Sequence, residues 1–188
     1  MTGHEGKRFN LFFALFPDQA APDKIQALAA QLQNAHHLAG KPFVADRFHV
    51  SLQNLDRYEC VPNEVVDSAG KAAAHLQQDS FDLTLDRAQS FSRGPGGCPL
   101  VLLPGDGVEA LCEFHRNLGA ALKREGLGRF AAFDFTPHLT LLYGDRLVEE
   151  HPVSPISWRV TEFSLVLSHV GQTRYDILGQ WPLDEGAG

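Results

Sequence analysis

Residues 49–52 read His49-Val50-Ser51-Leu52, and residues 138–141 read His138-Leu139-Thr140-Leu141. Each is a histidine, an apolar residue, a hydroxyl and an apolar residue. A period of two belongs to a half-buried strand, whose alternate side chains point to opposite faces. His49 and Ser51 therefore share one face and Val50 and Leu52 the other. The same division sets His138 and Thr140 against Leu139 and Leu141. The chain has nine histidines, so one such pair alone reads as an ordinary solvated sheet face. Two of them, each framed by apolar residues, read as a duplicated half-site. If the halves face each other, two imidazoles flank one ligand.

Working outward, each motif falls in a strand–helix–strand setting. Residues 8–16 read as a buried strand. Asp18 to Ala35 follows as a helix, with Pro22 in its first turn and Ile25, Leu28 and Leu32 as its apolar stripe. Gly40-Lys41-Pro42 ends that unit, and Phe43 to Leu55 carries the first motif as a strand. Asn63 to Leu76 reads as a second helix with Asn63 as its N-cap. Phe81–Phe91 alternates and pairs as a hairpin with Pro99–Leu103 across a turn at Arg93-Gly94-Pro95-Gly96-Gly97. The third helix begins at a capping box, Asp106 with Glu109. It carries the stripe Val108, Leu111, Cys112, His115, Leu118 and Leu122, and stops at Gly126. Phe135 to Leu142 holds the second motif. Ser157–Ser168 and Arg174–Trp181 are the last strands, with a turn at Gly171. The order β-α-β-α-β-β-α-β-β-β implies an α+β fold. The expected architecture is bilobal: two pseudo-symmetric antiparallel sheets with outer helices around a central cleft. Residues 1–188 form one domain, of which 1–7 are expected to be loose.

Composition narrows the function. A chain of 188 residues with 44% hydrophobic residues, 13 of them Phe, can bury a substantial core. A formal charge of −7 argues against electrostatic coating of long nucleic acid, but not against a phosphate held in a local pocket. Cys60, Cys98 and Cys112 lack metal-ligand spacing, and an odd count without a disulfide framework fits the cytoplasm. The apolar run Leu11–Phe16 is too short for a signal peptide, and no run approaches a membrane span.

Two imidazoles with two hydroxyls suit cleavage of a P–O bond by water. Histidine titrates near neutrality, so one copy can take a proton from the nucleophile while the other gives one to the leaving oxygen. Ser51 and Thr140 can donate hydrogen bonds to non-bridging phosphate oxygens. The scheme calls for no cofactor and no metal, and a histidine with a hydroxyl two residues on is not a usual zinc ligand set.

The two H-x-[S/T] motifs resemble those of the two-histidine (2H) phosphoesterase superfamily, in particular its LigT-like branch of RNA 2′,3′-cyclic phosphodiesterases and 2′-5′ RNA ligases. The likeness extends to Arg8-Phe9-Asn10-Leu11-Phe12-Phe13-Ala14-Leu15 followed by Pro17, and to Phe135-Thr136-Pro137 leading into the second motif. It also takes in Ser168-His169-Val170-Gly171 through Tyr175, and Trp181-Pro182-Leu183. It implies His49 and His138 as catalytic residues and a cyclic phosphodiester as substrate, opened to a 2′-phosphate. The expected partner is an RNA end or nucleotide with a cyclic phosphate, bound by a monomer without metal or membrane. Many members carry a phosphate-binding arginine three residues after the second hydroxyl. Tyr143 stands there in this chain, and is taken as a phosphate contact with Ser51 and Thr140. Strict alternation sets Tyr143 on the face opposite His138, unless the chain bends at Gly144. The first motif is preceded by Arg47-Phe48 where Asn-Leu is frequent, and Ser51 stands where Thr is commoner.

The remaining candidates have plainer readings. His115 lies on a helix's apolar stripe and reads as a core histidine. His36, His37, His75 and His151 read as loop or surface residues, His4 as part of the loose start, and His169 as a neighbour of the last turn. Arg8, Arg47 and Arg174 could each approach a phosphate, although surface solvation is the commoner fate of any one of them. Phe12 and Phe48 could stack on a base, although core packing is the commoner fate of phenylalanine. Two other function classes stay open: a nucleotide- or RNA-end-binding module without turnover, and a 2H enzyme acting on another small cyclic phosphate.

Overall fold

A computed structural model describes residues 6, 8–18, 20–92, 94, 96–132 and 134–185. The alternating stretches become strands of one antiparallel array, and three helices cover one of its faces. The strands are β1 (Phe9–Leu15), β2 (Val50–Tyr58), β3 (Phe81–Ser90), β4 (Cys98–Pro104), β5 (Leu139–Gly144), β6 (His151–Val160), β7 (Glu162–His169) and β8 (Arg174–Pro182). The helices are α1 (Ala21–Ala35), α2 (Asn63–Ala74) and α3 (Val108–Arg124). Strand order is β6-β3-β4-β5-β2-β1-β7-β8, every pairing antiparallel.

Two four-stranded halves meet at the β2–β5 seam, where the register rests on the single pair Val50–Leu139. The two expected sheets are thus joined into one eight-stranded sheet at that pair. The halves are related by β1-α1-β2 in one and β4-α3-β5 in the other, which is the duplicated strand–helix–strand unit of the sequence. Leu11, Phe13, Leu15, Val50, Leu52, Leu139 and Leu141 point under the helices into one core. They meet Ile25 and Leu28 of α1 and Leu111, Phe114 and Leu118 of α3. The opposite face carries a separate small cluster, Phe12, Ala14 and Val166, with Phe16 and Tyr175 against it, and the buried Val101 beside Thr140. That uncovered face holds the motif histidines.

Several local expectations change. Ser157–Ser168 is two strands, β6 and β7, in different halves of the sheet. The chain crosses between them at Thr161, where the inward parity switches from Ile156, Trp158 and Val160 to Phe163, Leu165 and Leu167. Residues 43–49 are not strand: a short 3₁₀ turn at Ala45–Arg47 leads into β2. Asn63 is the first residue of α2, with Pro62 at the cap position and no side-chain capping bond. The Asp106–Glu109 capping box does not form. Gly107 caps α3 at φ 85°, where a Cβ would run into the Asp82 carbonyl. Asp18 precedes α1, and its carboxylate accepts from the N–H groups of Ala20 and Ala21 at 3.1 Å. The expected loose segment 1–7, apart from Gly6, and His4 with it, lies outside the described residues, as do Arg93 and Pro95 of the expected turn.

Candidate active site

His49 and His138 each stand one residue ahead of a strand, and the seam pair Val50–Leu139 lies between them. Carrying that antiparallel register one residue each way sets His49 opposite Thr140 and Ser51 opposite His138. Directly opposed residues have Cβ atoms about 5 Å apart. The four side chains form a two-fold quartet on the uncovered face, imidazole across from hydroxyl in both halves. Ser51 is exposed and Thr140 half-buried, so both hydroxyls are accessible from that face.

The same backbone device holds both rings. His49 Nδ1 lies 2.8 Å from the Arg47 carbonyl and His138 Nδ1 2.7 Å from the Thr136 carbonyl. A carbonyl only accepts, so each Nδ1 carries the proton and each neutral ring keeps its Nε2 lone pair free. His151 makes the same bond to the Glu149 carbonyl at 2.9 Å. The bond alone therefore does not single out His49 and His138; the seam register and the paired hydroxyls are what distinguish them.

The two rings sit in different surroundings. His49 packs among Phe12 at 5.2 Å, Tyr175 at 5.6 Å and Phe16 at 6.2 Å between ring centroids. Burial there lowers its pKa from 6.5 to about 4, helped by repulsion from Arg47 and His138 and opposed by the Arg47 carbonyl bond. His138 packs against Phe91, with ring centroids 4.9 Å apart.

Tyr143 reaches the site through a bulge. Val101 pairs with Thr140 while Leu100 pairs with Leu142, so β5 holds an extra residue at Leu141. Leu141 and Leu142 are both buried, and the parity beyond them flips. Tyr143 thus returns to the face of His138, 46% exposed, beside Phe43 and near enough to influence Tyr175. β2 breaks at the same offset: Ala14 pairs with Ser51 but Phe12 with Asn54, and Leu52 and Gln53 are both buried. Asn54 is therefore the counterpart of Tyr143.

One contributor, Gln53, carried no sequence signal. Gln53 is fully buried, donates to the His115 carbonyl at 3.2 Å and accepts from the Ala132 N–H at 3.1 Å. His115, a core histidine as expected, stacks on Phe135 with centroids 4.0 Å apart and planes 2° apart, and burial lowers its pKa. Together they pin the segment leading to His138 onto the strand that carries Ser51. Phe48 is buried in the core, and Phe12 lies under His49 with little exposure for stacking. Arg174 is forked onto Asp176, as is His169 at 2.7 Å; Arg8 and His75 are exposed, and His36 lies against His151. Beside His49, Phe16, Val44, Arg47, Tyr175 and Ile177 line an open groove of about 550 Å³; neither motif histidine lines it. Among the described residues, no three of His, Cys, Asp and Glu are grouped to hold a metal ion.

The family model of the 2′-5′ RNA ligase superfamily matches residues 16–172, which include both motifs and the seam. This chain belongs to the 2′-5′ RNA ligase superfamily. The 2H phosphoesterase fold it shares is seen in E. coli LigT complexed with ATP, 28% identical, TM-score 0.71, covering 95% of this chain and all of that one. A crystal structure described as a phosphoesterase is also 28% identical, with TM-score 0.68, covering 96% of this chain and all of that one. TT0787 of Thermus thermophilus, at 19% identity and TM-score 0.70, shares the fold over 95% of this chain and all of its own. No curated protein matches significantly. No helix of the described residues is long and apolar enough to cross a membrane.

Proposed function

We propose that this 2H superfamily member hydrolyses 2′,3′-cyclic phosphodiesters at nucleotide or RNA ends to 2′-phosphates by acid–base catalysis between His49 and His138. The observation that carries this reading is the two-fold quartet with both Nδ1 atoms committed to carbonyls, which leaves two Nε2 atoms free for proton transfer. His49, neutral down to a pKa of about 4, is the base in the unliganded protein. Its Nε2 takes a proton from water as the water oxygen bonds to phosphorus. The P–O3′ bond breaks, and protonated His138 gives its Nε2 proton to the leaving O3′. The products are a 2′-phosphate and a 3′-hydroxyl, and proton exchange with solvent resets both rings. Ser51, Thr140 and Tyr143 donate to the non-bridging oxygens as charge builds there.

A 5′-hydroxyl in place of water would use the same groups to form a 2′-5′ linkage. E. coli LigT has been crystallised with ATP, with 3′-AMP and with phosphate, which accords with a nucleotide ligand here. The net charge of −7 favours a short substrate over long RNA. Incubation with 2′,3′-cyclic AMP, an RNA with a cyclic end and 3′,5′-cyclic AMP, read by chromatography, tests the proposal. The expected product is 2′-AMP from the first substrate. Binding without turnover of any of them would favour the binding-module reading, and turnover of 3′,5′-cyclic AMP alone a different cyclic phosphodiesterase.

A further inference from the structure

Arg47 is placed as if for an anion. It closes the 3₁₀ turn ahead of the first motif, and its carbonyl fixes His49, so its side chain leaves the backbone beside the catalytic ring. The guanidinium carbon lies 4.3 Å from the Tyr175 ring centroid and 5.6 Å from that of Phe43. No carboxylate among the described residues forms an ion pair with it, and its Nε is buried without a hydrogen-bond partner. Two site groups feel it. Its charge lowers the pKa of His49, and its charge and hydrogen bonding work against the burial that raises that of Tyr175. The nearest carboxylate in sequence, Asp46, is exposed and makes no ion pair with it.

A half-buried cation with an unpaired donor is costly unless an anion completes it. Packing between rings engages the guanidinium faces and leaves in-plane N–H donors beyond those turned to Tyr175, and a planar fork of such donors is the geometry that grips phosphate oxygens. Tyr143 brings a hydroxyl to the same cluster but no charge.

We propose that Arg47, clamped between Tyr175 and Phe43, is the cationic contact to the phosphate of the bound nucleotide, supplied from the first-motif side of the site. This rests on the phosphodiesterase reading above and adds a residue to it. The clamp fixes the fork next to His49, so the charge that neutralises the phosphate also adds, behind burial, to the lowering of the His49 pKa in the empty site.

The test is calorimetric binding of 2′-AMP and of adenosine to the wild type, Arg47→Met and Arg47→Lys, followed by turnover of 2′,3′-cyclic AMP. Arg47→Met keeps the stem and the backbone carbonyl. It should weaken 2′-AMP binding roughly 10- to 100-fold, the range of one charge-assisted contact, and leave adenosine affinity unchanged. Its 2′-AMP affinity should depend less on salt, and the His49 resonance in an NMR titration should shift to a higher pKa. Arg47→Lys should recover part of the 2′-AMP affinity. Equal 2′-AMP affinity in wild type and Arg47→Met would overturn the assignment and leave the phosphodiesterase reading standing. Equal losses for adenosine and 2′-AMP would overturn it too, as the mark of a structural role. A wild type that binds 2′-AMP through Arg47 but opens no cyclic phosphate would refute the activity alone.

Discussion

The burial of His49 makes the stability of this protein depend on acid in a way that one substitution should erase. In the folded chain the ring sits among Phe12, Phe16 and Tyr175 with its pKa lowered to about 4, against 6.5 unfolded. Between those values the unfolded chain binds the proton that the folded chain refuses, so the contribution of His49 to stability falls as pH falls through 6.5 toward 4 and is fully present above 6.5. Evaluating that linkage between about pH 7 and about pH 4.5 gives a loss of roughly 2 kcal/mol for this one group. Urea unfolding of the wild type and of His49→Gln at both pH values isolates the effect, since other titrating groups contribute alike to each protein. The wild type should lose about 2 kcal/mol more than the variant over that interval, and an NMR titration should place the His49 midpoint well below that of a free imidazole. Identical pH dependence in the two proteins, or a His49 midpoint at the ordinary value of 6.5, would sink both the burial argument and the assignment of His49 as the base.

The hydroxyls should matter less than the imidazoles: Ser51→Ala and Thr140→Ala should each slow turnover by ~10²–10³, the usual cost of one donor to a developing oxyanion. A phosphorylated Ser51 or Thr140 trapped during turnover would instead make that residue a nucleophile. Turnover should persist in EDTA, because base, acid and phosphate donors are all supplied by side chains; loss that zinc or manganese restores would contradict this. The acid limb of kcat/KM should follow the low pKa of His49 in the free enzyme, about 4. A limb at the ordinary imidazole value would assign the base role elsewhere.

Much of this was legible in the chain because periodicity is local. The motif strands, the hairpin β3–β4 and the stripe of α3 each follow from spacing within one segment. The histidine–hydroxyl faces followed too, because Val50, Leu52, Leu139 and Leu141 all point to the core. What escaped depends on partners far away in sequence. The seam is a single pair between residues 50 and 139, and no local pattern announces a pairing of that range. The crossing at Thr161 left a trace, the parity switch from Val160 to Phe163, but without a Gly or Pro it read as one strand. The position of Tyr143 turned on an extra residue at Leu141, visible in the sequence only as two adjacent leucines where alternation calls for one. The caps of α2 and α3 escape a side-chain rule: neither Pro62 nor Gly107 makes a side-chain capping bond, and Gly107 answers instead to the close approach of the Asp82 carbonyl. Arg47 could not be told from a surface arginine without Tyr175, which reaches it from the far edge of the sheet.

The central claim is that two imidazoles act as one proton-transferring unit, and the kcat of His49→Ala, His138→Ala and the double variant on 2′,3′-cyclic AMP tests it most directly. Each single variant should lose about 10²–10⁴ in rate with the fold retained. The double variant should lose far less than the product of the two losses, because neither ring works without the other. Near-full activity in either single variant, or losses that simply multiply, would contradict it.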